Sequence, residues 1–97
     1  MRAARTDSNH SAVVAAFRGL DCTVVSLASI GKGCPDLAVA CLGVTHLVEV
    51  KDGPKAKLTP DQVVFLATWA APCPVVRSID EVCELVGQWR KTAQRGV

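Results

Sequence analysis

The chain has 97 residues, of which 49% are hydrophobic and 21% are charged, and its formal net charge at pH 7 is +2. This length allows one domain with a small core, and this hydrophobic content excludes a disordered chain. The weak positive charge permits binding to nucleic acid without arguing for it, and no apolar run reaches the length of a membrane span. We therefore expect a single soluble domain, residues 1–97, with no membrane partner.

The cysteines and the N-terminal segment indicate an intracellular protein. Five cysteines form no CxxC pair, a pattern that predicts free thiols in a reducing compartment rather than a zinc site. Arg2, Arg5, Asp7 and Arg18 interrupt the apolar core that a signal peptide would need. These features predict a cytoplasmic location.

The first half of the chain predicts a helix followed by three strands. Asp7 or Ser8 can cap a helix that runs to about Arg18, with Gly19 just beyond its end. Apolar, valine-rich runs then predict strands over residues 22–27, 36–41 and 45–51. The last two strands are close enough in sequence to form a hairpin that turns around Gly43.

Two capping boxes predict the later helices. Thr59 and Gln62 mark the start of one helix, which has Pro60 at its first position and should run to about residue 70. A short strand over residues 75–77 follows. Ser78 and Glu81 then start a last helix that should fade near residues 90–94, with a frayed basic tail from about residue 91. This order, α-β-β-β-α-β-α, predicts an α/β fold with a small mixed sheet flanked by helices.

Two acids and a lysine are placed to meet on one face of that sheet. Because successive side chains of a strand point to opposite faces, Glu49 and Lys51 share a face and Val50 points away. The predicted hairpin brings Asp36 beside them. Two carboxylates of this kind suit Mg²⁺ or Mn²⁺. The ordinary alternatives are a turn residue at Asp36 and a solvated ion pair at the end of an exposed strand.

Taken together, these motifs resemble a known nuclease family. Pro35-Asp36, then Glu49-Val50-Lys51, then Gln62 with Phe65 on the next helix, in this order of elements, are similar to the PD-(D/E)XK nuclease superfamily and to its small, phage-type VRR-NUC-like members. The resemblance covers about residues 6–86. It implies a restriction-endonuclease-like αβββαβ core with a C-terminal helix.

The resemblance also implies roles for individual residues. Asp36 and Glu49 would bind the metal ion together with the backbone carbonyl of Val50, and Lys51 would orient or help to deprotonate the attacking water. Gln62 would contact the site or the substrate, although closing the capping box with Thr59 explains this glutamine equally well.

One position departs from the family pattern. Many relatives carry a metal-binding glutamate early in the first helix, whereas this chain has Asn9 and His10 there. His10 either holds a metal-bound water or is an exposed first-turn histidine. The number of metal ions therefore stays open.

Several other residues have weaker claims to function. Lys32, Lys55 and Lys57 lie on loops that flank the predicted site and either contact phosphates or are ordinary surface lysines. The glycines beside Lys32 lack the spacing of a P-loop, so we expect no nucleotide cofactor. His46 should be structural. Trp69 and Trp89 are expected in the core or at a dimer contact rather than as base-stacking platforms.

The function that these expectations imply is a Mg²⁺- or Mn²⁺-dependent endonuclease that cuts DNA. By resemblance, it would be a homodimer that acts on branched DNA such as a Holliday junction, encoded by a phage and active in the host cell. A nucleic-acid-binding or assembly module that kept the fold without activity is the main alternative, and an RNA nuclease is another.

Overall fold

The computed structural model describes residues 8–95, which form three helices and four strands in the predicted order. These elements are α1 (His10–Gly19), β1 (Thr23–Ser26), β2 (Leu37–Cys41), β3 (Val44–Val50), α2 (Pro60–Thr68), β4 (Val75–Val76) and α3 (Ile79–Arg95). The prediction of an α/β fold with a small mixed sheet is confirmed. Within residues 8–95, every helix is too short or too polar to cross a membrane.

The four strands form one sheet in the order β1-β2-β3-β4. The first three strands are antiparallel, and β4 pairs with β3 in parallel. Leu42 and Gly43 connect β2 to β3 with φ angles of 54° and 81°, as a two-residue type I′ turn requires. The predicted hairpin is therefore present, and it sets the end of β3 beside the start of β2.

A proline limits β4 to two residues. The backbone N–H groups of Glu49 and Lys51 donate to the carbonyls of Pro74 and Val76, both at 2.9 Å. The next bond of a parallel ladder would run from the N–H of residue 74 to the carbonyl of Leu47. Proline has no N–H, so the ladder stops there.

The core lies between one face of the sheet and the helices α1 and α3. Phe17 of α1 and Trp89 of α3 stack with their ring centroids 6.0 Å apart, and the His46 ring lies 3.8 Å from Trp89 at an angle of 7°. Burial lowers the pKa of His46 below its ordinary value. His46 and Trp89 are thus packing residues, as predicted. The buried apolar side chains are Val13, Phe17, Cys22, Leu37, Val39, Cys41, Val48, Val50, Val76, Val82 and Val86.

The helix ends differ from prediction in four places. Gly19, predicted just beyond the end of α1, is the last residue of that helix, and Leu20 is its C-cap. The N-cap of α1 is Asn9, without a side-chain capping bond, so Ser8 is not the cap; Asp7 lies outside the described residues. In the second capping box, the Ser78 hydroxyl accepts from the N–H of Glu81 at 3.2 Å, but the Glu81 carboxylate accepts from the N–H of Arg77 at 2.7 Å instead of closing on Ser78. The helix α3 continues to Arg95, past the point near residue 91 where fraying was predicted.

The helix α2 has an apolar surface that the described chain leaves uncovered. None of its residues is buried, and Val63 and Val64 are 51% and 61% exposed. Phe65 and the following Trp69 stack on each other with centroids 5.1 Å apart, on a different side of the helix. Because residues 62–76 contain no charged side chain, this surface is uncharged as well as apolar.

Candidate functional site

The sheet register brings the two predicted metal-binding acids face to face. Leu37 pairs with Val48, and extending this antiparallel register by one residue sets Asp36 opposite Glu49. Both acids and Lys51 are largely withdrawn from solvent, with exposed fractions of 9%, 1% and 7%. Burying a charge lowers the stability of a protein unless the charge is paired. Three such charges at one end of a sheet therefore carry a large cost in folding free energy.

Asp36 is fixed by the backbone of β3. Its Oδ2 accepts a hydrogen bond from the N–H of Val50 at 2.8 Å. Backbone N–H and C=O groups alternate in direction along a strand, and those of Glu49 and Lys51 point to β4. The groups of Val50 therefore point to the other side, toward the start of β2. The Val50 carbonyl lies on that same side of the strand. The Asp36 carboxylate and the Val50 carbonyl, which the family resemblance assigns to the metal, therefore lie on the same side of β3.

Glu49 is contacted by two further residues of the predicted site, Lys51 and Gln62. The Lys51 Nζ lies 3.9 Å from Glu49 Oε2, and the Nε2 of Gln62 donates to the same oxygen at 3.0 Å. The other end of the Gln62 amide closes the predicted capping box, because its Oε1 accepts from the N–H of Thr59 at 2.9 Å. The two interpretations of Gln62 are therefore not alternatives: one amide makes both contacts.

The donor atoms fit a hard divalent cation. Two carboxylates and a backbone carbonyl are oxygen ligands, which Mg²⁺ and Mn²⁺ prefer, and these ions complete their coordination with water and substrate phosphate. Within residues 8–95, no group of three or more His, Cys, Asp or Glu side chains is arranged to hold a metal. The two carboxylates and the Val50 carbonyl would fill part of the coordination shell of such an ion, and water and substrate phosphate would fill the rest.

Two cysteines that the sequence reading did not assign to the site border it. Burial, followed by the charges of Glu49 and Asp36, raises the pKa of the Cys34 thiol. Burial also raises the pKa of Cys73 to about 11, and the Glu49 carboxylate adds to the effect. Cys34 directly precedes Pro35-Asp36, and Cys73 precedes the strand that pairs with Glu49. Cys34 could have been placed at the site from its position beside Asp36, whereas Cys73 is brought there by the pairing of β4 with β3.

Cys73 should be slow to alkylate at neutral pH, because the thiolate is the reactive form. With a pKa of about 11, its reaction with iodoacetamide in EDTA should accelerate about tenfold per pH unit from pH 8 to pH 10. Mass spectrometry of the modified peptides would measure this rate, with the exposed Cys83 as an internal comparison. A plateau below pH 9 would contradict the placement of Cys73 beside Glu49.

The start of α1 meets the site through Asn9. Its Nδ2 donates to the carbonyls of Lys51 at 3.0 Å and Arg77 at 3.4 Å, and its buried Oδ1 has no hydrogen-bond partner within the described chain. The Nδ1 of His10 is also buried without a partner there, and this ring borders a hollow that Arg18 and Ser26 help to line. Asn9 is therefore the first-turn residue that holds the end of β3. The role of His10 at the metal stays a prediction.

The three candidate phosphate-binding lysines lie on two loops that both adjoin the start of α2, the loop of Lys32 by packing and the loop of Lys55 and Lys57 by sequence. All three are exposed. Gly33, beside Lys32, has a φ of 80°, and a Cβ built on it would overlap the backbone carbonyl of Asp61 in the first turn of α2. The glycine therefore permits close packing of the loop on the helix. Lys55 and Lys57 lie on the loop that enters α2 from the other side.

Comparison of the chain with models of protein families, with curated proteins and with solved structures finds no match.

Proposed function

We propose that this protein is a Mg²⁺- or Mn²⁺-dependent endonuclease that hydrolyses phosphodiester bonds of DNA, with a restriction-endonuclease-like core of the PD-(D/E)XK type. The observation that carries the proposal is the buried pair Asp36 and Glu49, opposed across neighbouring strands with Lys51 beside them. Among these three side chains, two carboxylates face one ammonium in a place that water barely reaches. A divalent cation held between the two acids would offset their negative charge.

Each residue has a task in the proposed reaction. Asp36 and Glu49 would hold a divalent metal ion together with the Val50 carbonyl. Such an ion would supply Lewis-acid activation of the scissile phosphate and of the attacking water. Lys51 orients the attacking water and offsets negative charge that develops on the phosphate. Gln62 keeps the Glu49 carboxylate in place through its 3.0 Å bond.

The lysines of the two loops supply the proposed contact with DNA. Lys32, Lys55 and Lys57 are exposed on loops that adjoin the start of α2, the helix from which Gln62 reaches Glu49. Contacts of this kind bind phosphates independently of sequence, so the affinity should fall steeply as salt increases. This is compatible with recognition of a branched DNA by shape, such as a four-way junction.

A second copy of the chain is the proposed partner at α2. The uncharged outer surface formed by Val63 and Val64 is unsuited to DNA, which needs cations, but it suits an identical apolar surface related by a two-fold axis. A nine-residue helix is also marginal without packing on both sides. A dimer built this way would carry two sites, as cutting two strands of a junction requires.

One observation favours the alternative, a module that binds nucleic acid without cutting it. Asn9, the N-cap of α1, lies near the position where the resembled family often has a metal-binding glutamate, and its Nδ2 atom donates to backbone carbonyls. A site with fewer acids would bind the metal more weakly.

The test is incubation of the purified protein with supercoiled plasmid, a synthetic four-way DNA junction and the matching RNA junction. Each substrate is tested with Mg²⁺, Mn²⁺ or EDTA. We expect metal-dependent cleavage of DNA, with the junction preferred over a linear duplex. DNA binding without cleavage in either metal would support the binding module instead, and cleavage of the RNA alone would support the RNA nuclease.

A further inference from the structure

Arg77, a half-buried residue directly after β4, makes hydrogen bonds to the basic loop between β3 and α2. The Nη1 of Arg77 donates to the carbonyl of Gly53 at 3.0 Å and to the carbonyl of Ala56 at 2.6 Å. Both carbonyls belong to residues 52–58, the segment that we call the lysine loop because it carries Lys55 and Lys57. The loop contains no helix or strand, so these bonds take the place of regular backbone pairing.

Arg77 is itself held firmly by its backbone. Its N–H donates to the Glu81 carboxylate at 2.7 Å, and its carbonyl accepts from the N–H of Gly53 at 3.3 Å and from Asn9 at 3.4 Å. The residue therefore links the start of α3, the start of α1 and the lysine loop. A guanidinium on a backbone bonded at both its N–H and its carbonyl can hold an irregular segment in one place.

We propose that Arg77 is a positioning residue that holds the lysine loop against the end of β4, so that Lys55 and Lys57 are presented to DNA phosphates beside Asp36 and Glu49. This inference rests on the proposed function. Arg77 uses its Nη1 on loop carbonyls, so its contribution to DNA binding acts through the two lysines. Presenting them in a fixed position avoids the loss of loop entropy on binding.

The side chain at position 77 needs the geometry of arginine for this role. Both carbonyl contacts are made by the terminal Nη1 atom, and the ammonium of lysine lies one bond closer to the backbone on a flexible chain. Arg77→Lys thus keeps the charge, and we expect it to lose at least one of the two carbonyl contacts. Arg77→Met removes both and keeps the aliphatic packing.

The first experiment requires no DNA. Trypsin should cut after Lys55 and Lys57 about fivefold faster or more in Arg77→Met and Arg77→Lys than in the wild type, because the loop opens more often. Arg90→Met is the matched control, since Arg90 also donates to a loop carbonyl, that of Leu20, but far from the lysine loop. Thermal melting shows whether the variants stay folded. Unchanged cleavage at both lysines in a folded Arg77→Met protein overturns the proposal.

The second experiment measures DNA affinity in EDTA for the wild type, Arg77→Met, Arg77→Lys, the double variant Lys55→Ala/Lys57→Ala, and Arg77→Met combined with that double variant. We expect the Arg77 variants to weaken binding about three- to tenfold, and to have no further effect once both lysines are gone. If the combined variant bound DNA more weakly than the double lysine variant, or if Arg77→Lys kept full affinity, the Arg77 charge would contact DNA directly. Either result would overturn the proposal.

Cleavage kinetics separate positioning from chemistry. Arg77→Met should raise KM and leave kcat within about twofold, because the loop contributes to binding and not to the reacting groups. A large fall in kcat at unchanged KM contradicts the assigned role. If the wild type binds no DNA, the proposed function fails and the DNA role of Arg77 fails with it, while the trypsin experiment still decides whether Arg77 holds the loop.

Discussion

Asp36→Asn should abolish metal-dependent DNA cleavage while the protein stays folded. The amide oxygen of asparagine can still accept the 2.8 Å bond from the N–H of Val50, and the contact between Glu49 and Lys51 is untouched. The substitution therefore removes only the negative charge of Asp36 and leaves that of Glu49. We expect cleavage to slow by about a thousandfold, which corresponds to about 4 kcal/mol of transition-state stabilisation.

Asp36→Asn should also affect thermal stability, and its effect relative to the wild type should depend on metal. In EDTA, removing one of two adjacent buried carboxylates should raise the melting temperature by about 4–8 °C, as a gain of about 1 kcal/mol does in a domain of this size. Addition of Mg²⁺ or Mn²⁺ should raise the melting temperature of the wild type and leave that of Asp36→Asn unchanged. Differential scanning calorimetry would measure both effects.

Asp21→Asn is a suitable control for this experiment. Asp21 is exposed and has a φ of 66°, a conformation that asparagine tolerates well, so its replacement should alter neither cleavage nor the metal response. If Asp36→Asn cleaved DNA at the rate of the wild type, the site would have to be moved elsewhere on the protein.

Val64→Glu should convert the proposed dimer into a monomer. The Val64 side chain is 61% exposed on the outer face of α2, so the substitution costs the isolated chain little. At an interface, however, two unpaired carboxylates would face each other away from water, which should weaken association by about a hundredfold or more. Light scattering coupled to size-exclusion chromatography would measure the mass.

Val25→Glu provides the matched comparison for Val64→Glu. Val25 is 62% exposed, almost the same as Val64, but it lies on β1 and not on α2. That variant should remain a dimer. A wild type that is monomeric at tens of micromolar, or a Val64→Glu protein that is still dimeric, would exclude α2 as the interface. If the dimer exists, Val64→Glu should also nick one strand of a junction where the wild type cuts two.

Features set by neighbours in sequence were predictable. The turn at Gly43, the capping box of Thr59 and Gln62, and the shared face of Glu49 and Lys51 all depend on residues a few positions apart. Once the hairpin was inferred, the position of Asp36 opposite Glu49 followed from strand periodicity. The element order was predictable for the same reason.

Features that depend on distant packing were not predictable from sequence. The contact of Asn9 with Lys51 spans 42 residues, and the approach of Cys73 to Glu49 requires β4 to pair with β3. The extent of α3 was missed because the polar residues after Trp89 suggest fraying. The Arg77 contacts were missed because a lone arginine after a short strand has no local pattern that distinguishes it from a solvated charge.

The two-ended amide at position 62 restricts which residues this position can accept. Glutamate would still accept the bond from the N–H of Thr59, but it could not donate to Glu49 and would add a third carboxylate. Lysine or arginine would donate to Glu49 and leave the Thr59 N–H without its acceptor. Asparagine has both ends but is one methylene too short. Saturation mutagenesis scored for folding and for cleavage together should therefore retain glutamine alone at Gln62, whereas selection for folding alone should also admit glutamate.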